Sequence, residues 1–341
     1  MKKRISMLLC MLTIIALIIP QTACSEKPNT YFKEGYYLDT ICQITIYDMK
    51  DMSEENAGKA IDKAYRTCAD YEALLSKTRE GSDIYKINHA NGAPVECSDQ
   101  TIEILKIALN YCELSGGRFD ITIGKVTDLW DFHSDEPKVP ADGDIKSALA
   151  DVDYKQIVIE GNTVTMTNPK GEIDLGAIAK GYISDRVVET LRAEGVTSAI
   201  VDLGGNICAL GSKEEDKPFT IGIKDPQSND GGVIGKISLS DGTMVTSGTY
   251  ERSFEVDGKI YHHILDVKTG YPVNSGVLSV TIIGGDGKSV NCDALSTMCL
   301  ILGVEDGSKL IESQEGVAAI FVDTNGKITK TSGVKGFEKV D

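Results

Sequence analysis

The chain has 341 residues, of which 41% are hydrophobic and 25% charged, with 34 glycines and a formal charge of −16. That balance is ordinary for a globular fold and excludes a disordered tail protein, a collagen and a multi-span membrane protein. The acidity excludes nucleic-acid binding through a broad basic face, and an anionic ligand would need a local cation or a metal ion.

The first predicted element is an export signal. Lys2, Lys3 and Arg4 precede an apolar run over 6–20, the length of a signal core and short for a membrane span. Thr22-Ala23-Cys24 resembles the end of a bacterial lipoprotein signal, with Gln21 where such signals carry an aliphatic residue. Cys24 then becomes the lipid-modified first residue; an uncleaved anchor helix is the alternative. Either reading places the body on the extracytoplasmic face of the cell membrane. Residues 1–23 are thus read as signal, 24–35 as a tether and 36–341 as one domain. Beyond Cys10 and Cys24, seven cysteines remain, with no CxxC and no zinc-like spacing, which predicts buried free thiols.

Residues 41–48 alternate apolar and polar side chains and predict a half-buried strand. Ser53, followed by Glu54 and Glu55, opens a helix to about Ser76. Ser98 or Asp99 opens a second helix, which Gly116-Gly117 closes. Two short strands follow at 155–160 and 163–167, then a helix over 177–194 that Gly195 stops. Next come the strand of SAIVDLGG (198–205), short strands between 218 and 265, and a strand over 277–284. A helix over 292–302 stops at Gly303; one more helix and strands at 317–322 and 326–330 end the chain. Strands mixed with helices, with few βαβ units, predict an α+β fold of layered mixed or antiparallel sheets.

Chemistry concentrates in four glycine-rich stretches. Gly116-Gly117-Arg118-Phe119-Asp120 sets a cation, a ring and a carboxylate beside flexible backbone; taken alone it reads as a helix-to-strand corner. In Ile173-Asp174-Leu175-Gly176-Ala177-Ile178-Ala179-Lys180-Gly181, free N–H groups at a helix start and the Lys180 charge suit an anion, and Asp174 suits a ring N–H. The plainer reading is a capped helix with a solvated lysine. Tyr261-His262-His263-Ile264-Leu265-Asp266 places two histidines on one strand, where neighbours face opposite sides, so at most one faces a site. Acid–base work and a structural pair remain open for them. In Asp293-Ala294-Leu295-Ser296-Thr297, Asp293 and Thr297 share one helix face, with Ser296 adjacent. Such hard oxygens suit Mg²⁺, although a dipole-stabilised Asp with core hydroxyls explains them too.

In order and content these stretches resemble the ApbE family of flavin transferases over about residues 36–335: IDLGAIAKGY, VDLGGNI, SGTYER with YHHILDVKTGYPV, and DALST. The resemblance implies an ApbE-like fold. It implies Mg²⁺-dependent transfer of FMN from FAD to a Thr or Ser hydroxyl of an acceptor protein, with release of AMP. The metal ligands it implies are Asp293, Thr297 and the carbonyl of Ala177, with Ser296 where some relatives have a second Asp. For FAD it implies Asp174, Lys180, Arg118, Phe119, Asp120 and Leu265. Leu38 stands where relatives often have Met against a ring, and Thr78 where an aromatic is common. His263 is the candidate base for the attacking hydroxyl. Acceptors of the family carry a D-x-x-[ST]-G-[AS]-T-like motif, as in extracytoplasmic subunits of membrane redox complexes. Asp266-Val267-Lys268-Thr269-Gly270 matches its first half, but Tyr271-Pro272 breaks it, so no self-flavinylation is expected. Hydrolysis of the FAD pyrophosphate to FMN and AMP, and flavin capture by a non-catalytic lipoprotein, are the competing expectations.

Overall fold

The computed structural model describes residues 30–340 apart from 48, 50, 51, 133, 135, 215, 216 and 229. The expected signal, Cys24 and the first half of the expected tether lie outside the described residues. In chain order the elements are β1 (Tyr31–Tyr37), β2 (Thr40–Ile46), α1 (Glu54–Leu75), α2 (Asp83–His89), β3 (Val95–Glu96), α3 (Asp99–Leu114), α4 (Gly124–Trp130), α5 (Asp142–Leu149), β4 (Ile157–Glu160) and β5 (Thr163–Met166). Then follow α6 (Ala179–Ala193), β6 (Ala199–Leu203), β7 (Asn206–Leu210), β8 (Phe219–Lys224), β9 (Val233–Leu239), β10 (Gly242–Gly248), β11 (Ser253–Val256) and β12 (Lys259–His262). β13 (Val277–Gly285), α7 (Ser289–Glu312), β14 (Val317–Asp323), β15 (Ile328–Lys330) and β16 (Glu338–Lys339) complete the chain.

The central sheet has eight strands in the order β1-β2-β6-β7-β10-β13-β14-β15, and every ladder in it is antiparallel. Among the described residues the sheets are therefore antiparallel rather than mixed, and one parallel bridge joins Ile123 to Glu172. Alternation along the strands decides the layers. Val245 of β10 enters the main core with α1, α6 and α7, while its neighbour Met244 joins a second core under the small β16-β9-β8 sheet. A third cluster gathers Trp130, Ile145 and Leu265 beside the β11–β12 hairpin.

The capping logic holds where a side chain supplies it. The Ser53 side chain accepts from Asn56 N at the start of α1, and that of Ser98 from Thr101 N at the start of α3. Two corrections have physical causes. β1 begins at Tyr31, so the expected tether is shorter than 24–35, because residues 31–35 pair with β2. α2, α4 and α5 are seven or eight residues long, too short to display a helical period. Gly303 (φ 81, ψ 178) breaks the helical backbone at the expected stop, and the next helical segment follows directly across that kink within α7. The seven described cysteines are buried and unpaired, as expected.

Candidate active site

A cavity of about 740 Å³ opens where the first turn of α6, the middle of α7, the end of β10 and the loops after α3 and β12 meet. Its floor is the contact between α6 and α7. The Gly181 N–H donates to Asp293 Oδ2 at 2.8 Å instead of turning back to the carbonyl of Ala177, four residues earlier. That frees the Ala177 carbonyl from the helix ladder, and Ala177 lines the cavity. Lys180 Nζ stands 3.8 Å from Asp293 Oδ1. One turn along α7, Thr297 Oγ1 lies 3.5 Å from Ser247 Oγ and also faces the cavity.

A buried carboxylate, a hydroxyl one turn on and a released peptide carbonyl form a hard-oxygen donor set, which fits Mg²⁺ better than a soft metal. Among the described residues no cluster of three or more His, Cys, Asp or Glu side chains could hold an ion. A metal here would therefore depend on one carboxylate plus neutral oxygens.

Ser296 is not part of this wall. It is fully buried, donates to the Asp293 carbonyl at 2.8 Å and sits 2.7 Å from Ser247 Oγ. Its hydroxyl braces α7 against β10.

The opposite wall comes from the loop after α3. Arg118 Nη2 donates to Ile301 O at 3.3 Å, while Arg118 Nε is buried without a protein partner. Phe119 is buried behind it. Asp120 accepts from Thr122 N, Thr122 Oγ1 and Tyr154 N at 2.7–2.9 Å. Its carboxylate is thus spent on holding the loop, and burial raises its pKa despite those bonds.

Asp174 accepts from Gly176 N at 2.8 Å and from Thr127 Oγ1 at 3.2 Å. Lys77 reaches the same corner.

The histidines divide as strand geometry requires. His262 is buried, its Nε2 2.9 Å from Val273 O and its Nδ1 accepting from Ile264 N, so it is structural. His263 lines the cavity, with Nδ1 3.3 Å from Arg252 O. A carbonyl only accepts, so Nδ1 carries the proton and Nε2 is the basic nitrogen. Burial first, then the charges of Arg252 and Lys180, push the His263 pKa down to about 3.

Of the expected site residues, Arg118, Phe119, Asp120, Asp174, Ala177, Lys180, His263, Leu265, Asp293 and Thr297 all line this one cavity. Leu38, Thr78 and Ser296 do not. Leu38 occupies a two-residue hairpin turn at φ 56 and packs against the main core, leaving Asp39 in the wall. Thr78 is exposed and bonded only to Ser76, whereas its neighbour Lys77 is in the wall. Sequence reasoning also passed over Glu251 and Arg252, although both sit in the SGTYER stretch. Glu251 is open to the cavity but enclosed by its walls. That desolvation holds its carboxyl above the usual range against Lys180, Lys224 and Arg252.

Fold and site together define a cleft enzyme built for an anionic, ring-bearing ligand. Residues 38–321 match the ApbE family, and the chain belongs to that family. It is 33% identical over 349 residues to the FAD:protein FMN transferase of Treponema pallidum, covering 97% of this chain and 94% of the relative. Its identity to a Klebsiella pneumoniae FAD:protein FMN transferase is 38% over 265 residues, covering 77% and 81%. The crystal structure of the ApbE protein from Thermotoga maritima superposes with a TM-score of 0.80 at 33% identity, covering 89% of this chain and 97% of that one. The flavin transferase ApbE from Vibrio cholerae gives 0.78 at 28% identity, covering 91% and 99%.

Proposed function

We propose that this chain transfers the FMN half of FAD to a Ser or Thr hydroxyl of an acceptor protein. The hydroxyl oxygen bonds to the FMN phosphorus, the pyrophosphate bond breaks, and AMP leaves. The observation that carries this reading is the meeting of Ala177, Asp293, Thr297, Lys180 and His263 around one cavity, in a chain whose relatives bear that activity in their names.

Asp293, Thr297 and the Ala177 carbonyl would hold Mg²⁺, which when bound supplies Lewis-acid polarisation of the phosphates and offsets their charge. Lys180 adds a cation beside the phosphates in a protein that is otherwise acidic. Arg118 adds a second cation from the opposite wall. His263 Nε2 accepts the proton of the attacking hydroxyl. Asp174 accepts from a ring N–H, and Phe119 and Leu265 give that end apolar walls. An acceptor bearing a D-x-x-[ST]-G-[AS]-T-like motif fits this chemistry. Lys2, Lys3, Arg4, the apolar run over 6–20 and Thr22-Ala23-Cys24 support a leader with lipidation at Cys24, which would anchor the enzyme on the extracytoplasmic face close to membrane redox complexes.

Incubation with FAD, Mg²⁺ and an acceptor domain tests the reading. Covalent FMN on the acceptor with one AMP per transfer supports it; free FMN with AMP makes the protein a hydrolase, and unchanged FAD makes it a binder. Mass spectrometry of the membrane-extracted chain tests the lipid at Cys24.

A further inference from the structure

Lys77 lies just past the Ser76 cap of α1 and is only 16% exposed. Its ammonium donates to Gly124 O and Glu172 Oε1, each at 3.2 Å, and to Asp128 Oδ1. Those three bonds use all of its N–H groups. Asp174 Oδ2 is 3.4 Å away as an ion partner. One cation thus ties together the end of α1, the first turns of α4 and the turn that carries Asp174. The other side of this corner is already stitched: Gly124 N donates to Glu172 O at 3.1 Å, and a Cβ on Gly124 would lie 2.7 Å from that oxygen.

The acceptor inventory of Asp174 gives this clamp a purpose. A carboxylate has about four lone-pair positions. Gly176 N fills one on Oδ1, while the single Thr127 hydroxyl proton is shared between Asp174 Oδ2 at 3.2 Å and the nearer Gly124 O at 2.8 Å. Lys77 contributes charge without a hydrogen bond to Asp174, so acceptor capacity remains on the cavity side. The net effect on Lys77 agrees with the geometry: burial would lower its pKa, but Asp174, Asp128 and Glu172 together hold it above its ordinary value.

We propose that Lys77 is a positioning residue for the ring end of the substrate. It holds Asp174 in place, so that the spare acceptor positions meet a ring N–H of the bound flavin. This rests on the flavin reading given above. Lys77 lines the cavity but has no N–H left to donate to the substrate, because its three donors are committed. A purely structural alternative is that Lys77 only balances three neighbouring carboxylates.

The test uses the whole chain with FAD and with FAD methylated on the ring N–H, followed by flavin fluorescence and by steady-state transfer. Wild type is expected to prefer FAD over the methylated form. Lys77→Met should weaken FAD binding and raise KM about tenfold, erase that preference and leave kcat within about threefold. Lys77→Arg should restore binding to within about threefold of wild type. The double variant Lys77→Met/Glu172→Gln removes one excess negative charge and should regain thermal stability while still binding FAD weakly. If the double variant also regains FAD affinity, Lys77 is a charge balance only and the inference is overturned. It is equally overturned if Lys77→Met discriminates the two flavins as wild type does. A wild-type chain that binds no FAD would instead overturn the flavin reading, and this inference with it.

Discussion

Gly181 and Asp293 are joined by a backbone-to-carboxylate bond of 2.8 Å, and the helices that carry them touch at that point. A Cβ on Gly181 would lie 2.3 Å from Ser289 O and 2.6 Å from Asp293 Cβ. Neither neighbour is a flexible side-chain tip, so α6 and α7 must part to admit a methyl group. Gly181→Ala should cost about 1–3 kcal/mol by overpacking. It should cost more in turnover than in stability, because Lys180, Ala177 and Asp293 move together. Denaturant titration beside an AMP-release assay reads both.

Asp293→Asn keeps an oxygen able to accept from Gly181 but removes the charge. Turnover should fall by on the order of 10²-fold or more, with an unchanged circular dichroism spectrum and a higher Mg²⁺ requirement. Asp293→Ala should abolish turnover. Full activity in either variant would sink the assignment of the metal to this carboxylate.

Ser296 and Thr297 are adjacent hydroxyls with different expected phenotypes. Ser296→Ala loses its bonds to Ser247 and to the Asp293 carbonyl, a stability cost of about 1 kcal/mol, with activity within a few-fold of wild type. Thr297→Val should leave stability nearly unchanged and lower activity. The opposite pattern would put Ser296 back among the ligands.

His263 binds a proton near pH 6.5 when unfolded, but only near about 3 when folded. Between those values the unfolded chain holds the extra proton, so this group's contribution to stability declines as pH falls from 6.5 towards 3. In the free enzyme His263 stays neutral through the working range. Burial is the larger cause, yet Arg252 and Lys180 add to it, and a bound pyrophosphate would offset those two charges. The acid limb of kcat should therefore lie at higher pH than that of kcat/KM. His263→Ala should lower kcat by roughly 10²–10⁴-fold. Coincident limbs in both profiles would exclude this coupling.

What the sequence made legible was local spacing. Asp293 and Thr297, four apart, had to share a helix face, and adjacent strand histidines had to divide between core and cavity. Asp174, Lys180 and Gly181 sit around one helix start, where strand, turn and helix follow each other directly. Ser296 was misread because one further residue around the helix turns its hydroxyl towards Ser247 of β10, a neighbour 49 positions away. Lys77 stayed hidden for the same reason. Its partners Asp128, Glu172 and Asp174 lie 51 to 97 residues on, and only the packing of α4 against the 172–176 turn assembles them. The short helices carry too few residues for a period, and their boundaries come from tertiary contacts.

Asp39, Lys77, Arg118, Asp174, Ser247 and Asp293 bring the cavity wall together from across most of the chain. No lobe of the molecule owns a complete set. A dinucleotide held there would shield the entire body from proteases rather than one half of it, since capture draws only on the fully assembled state. A single nick that let α7 drift from α6 would end retention of a dinucleotide outright, so a partly folded polypeptide cannot sequester one before its last long helix docks.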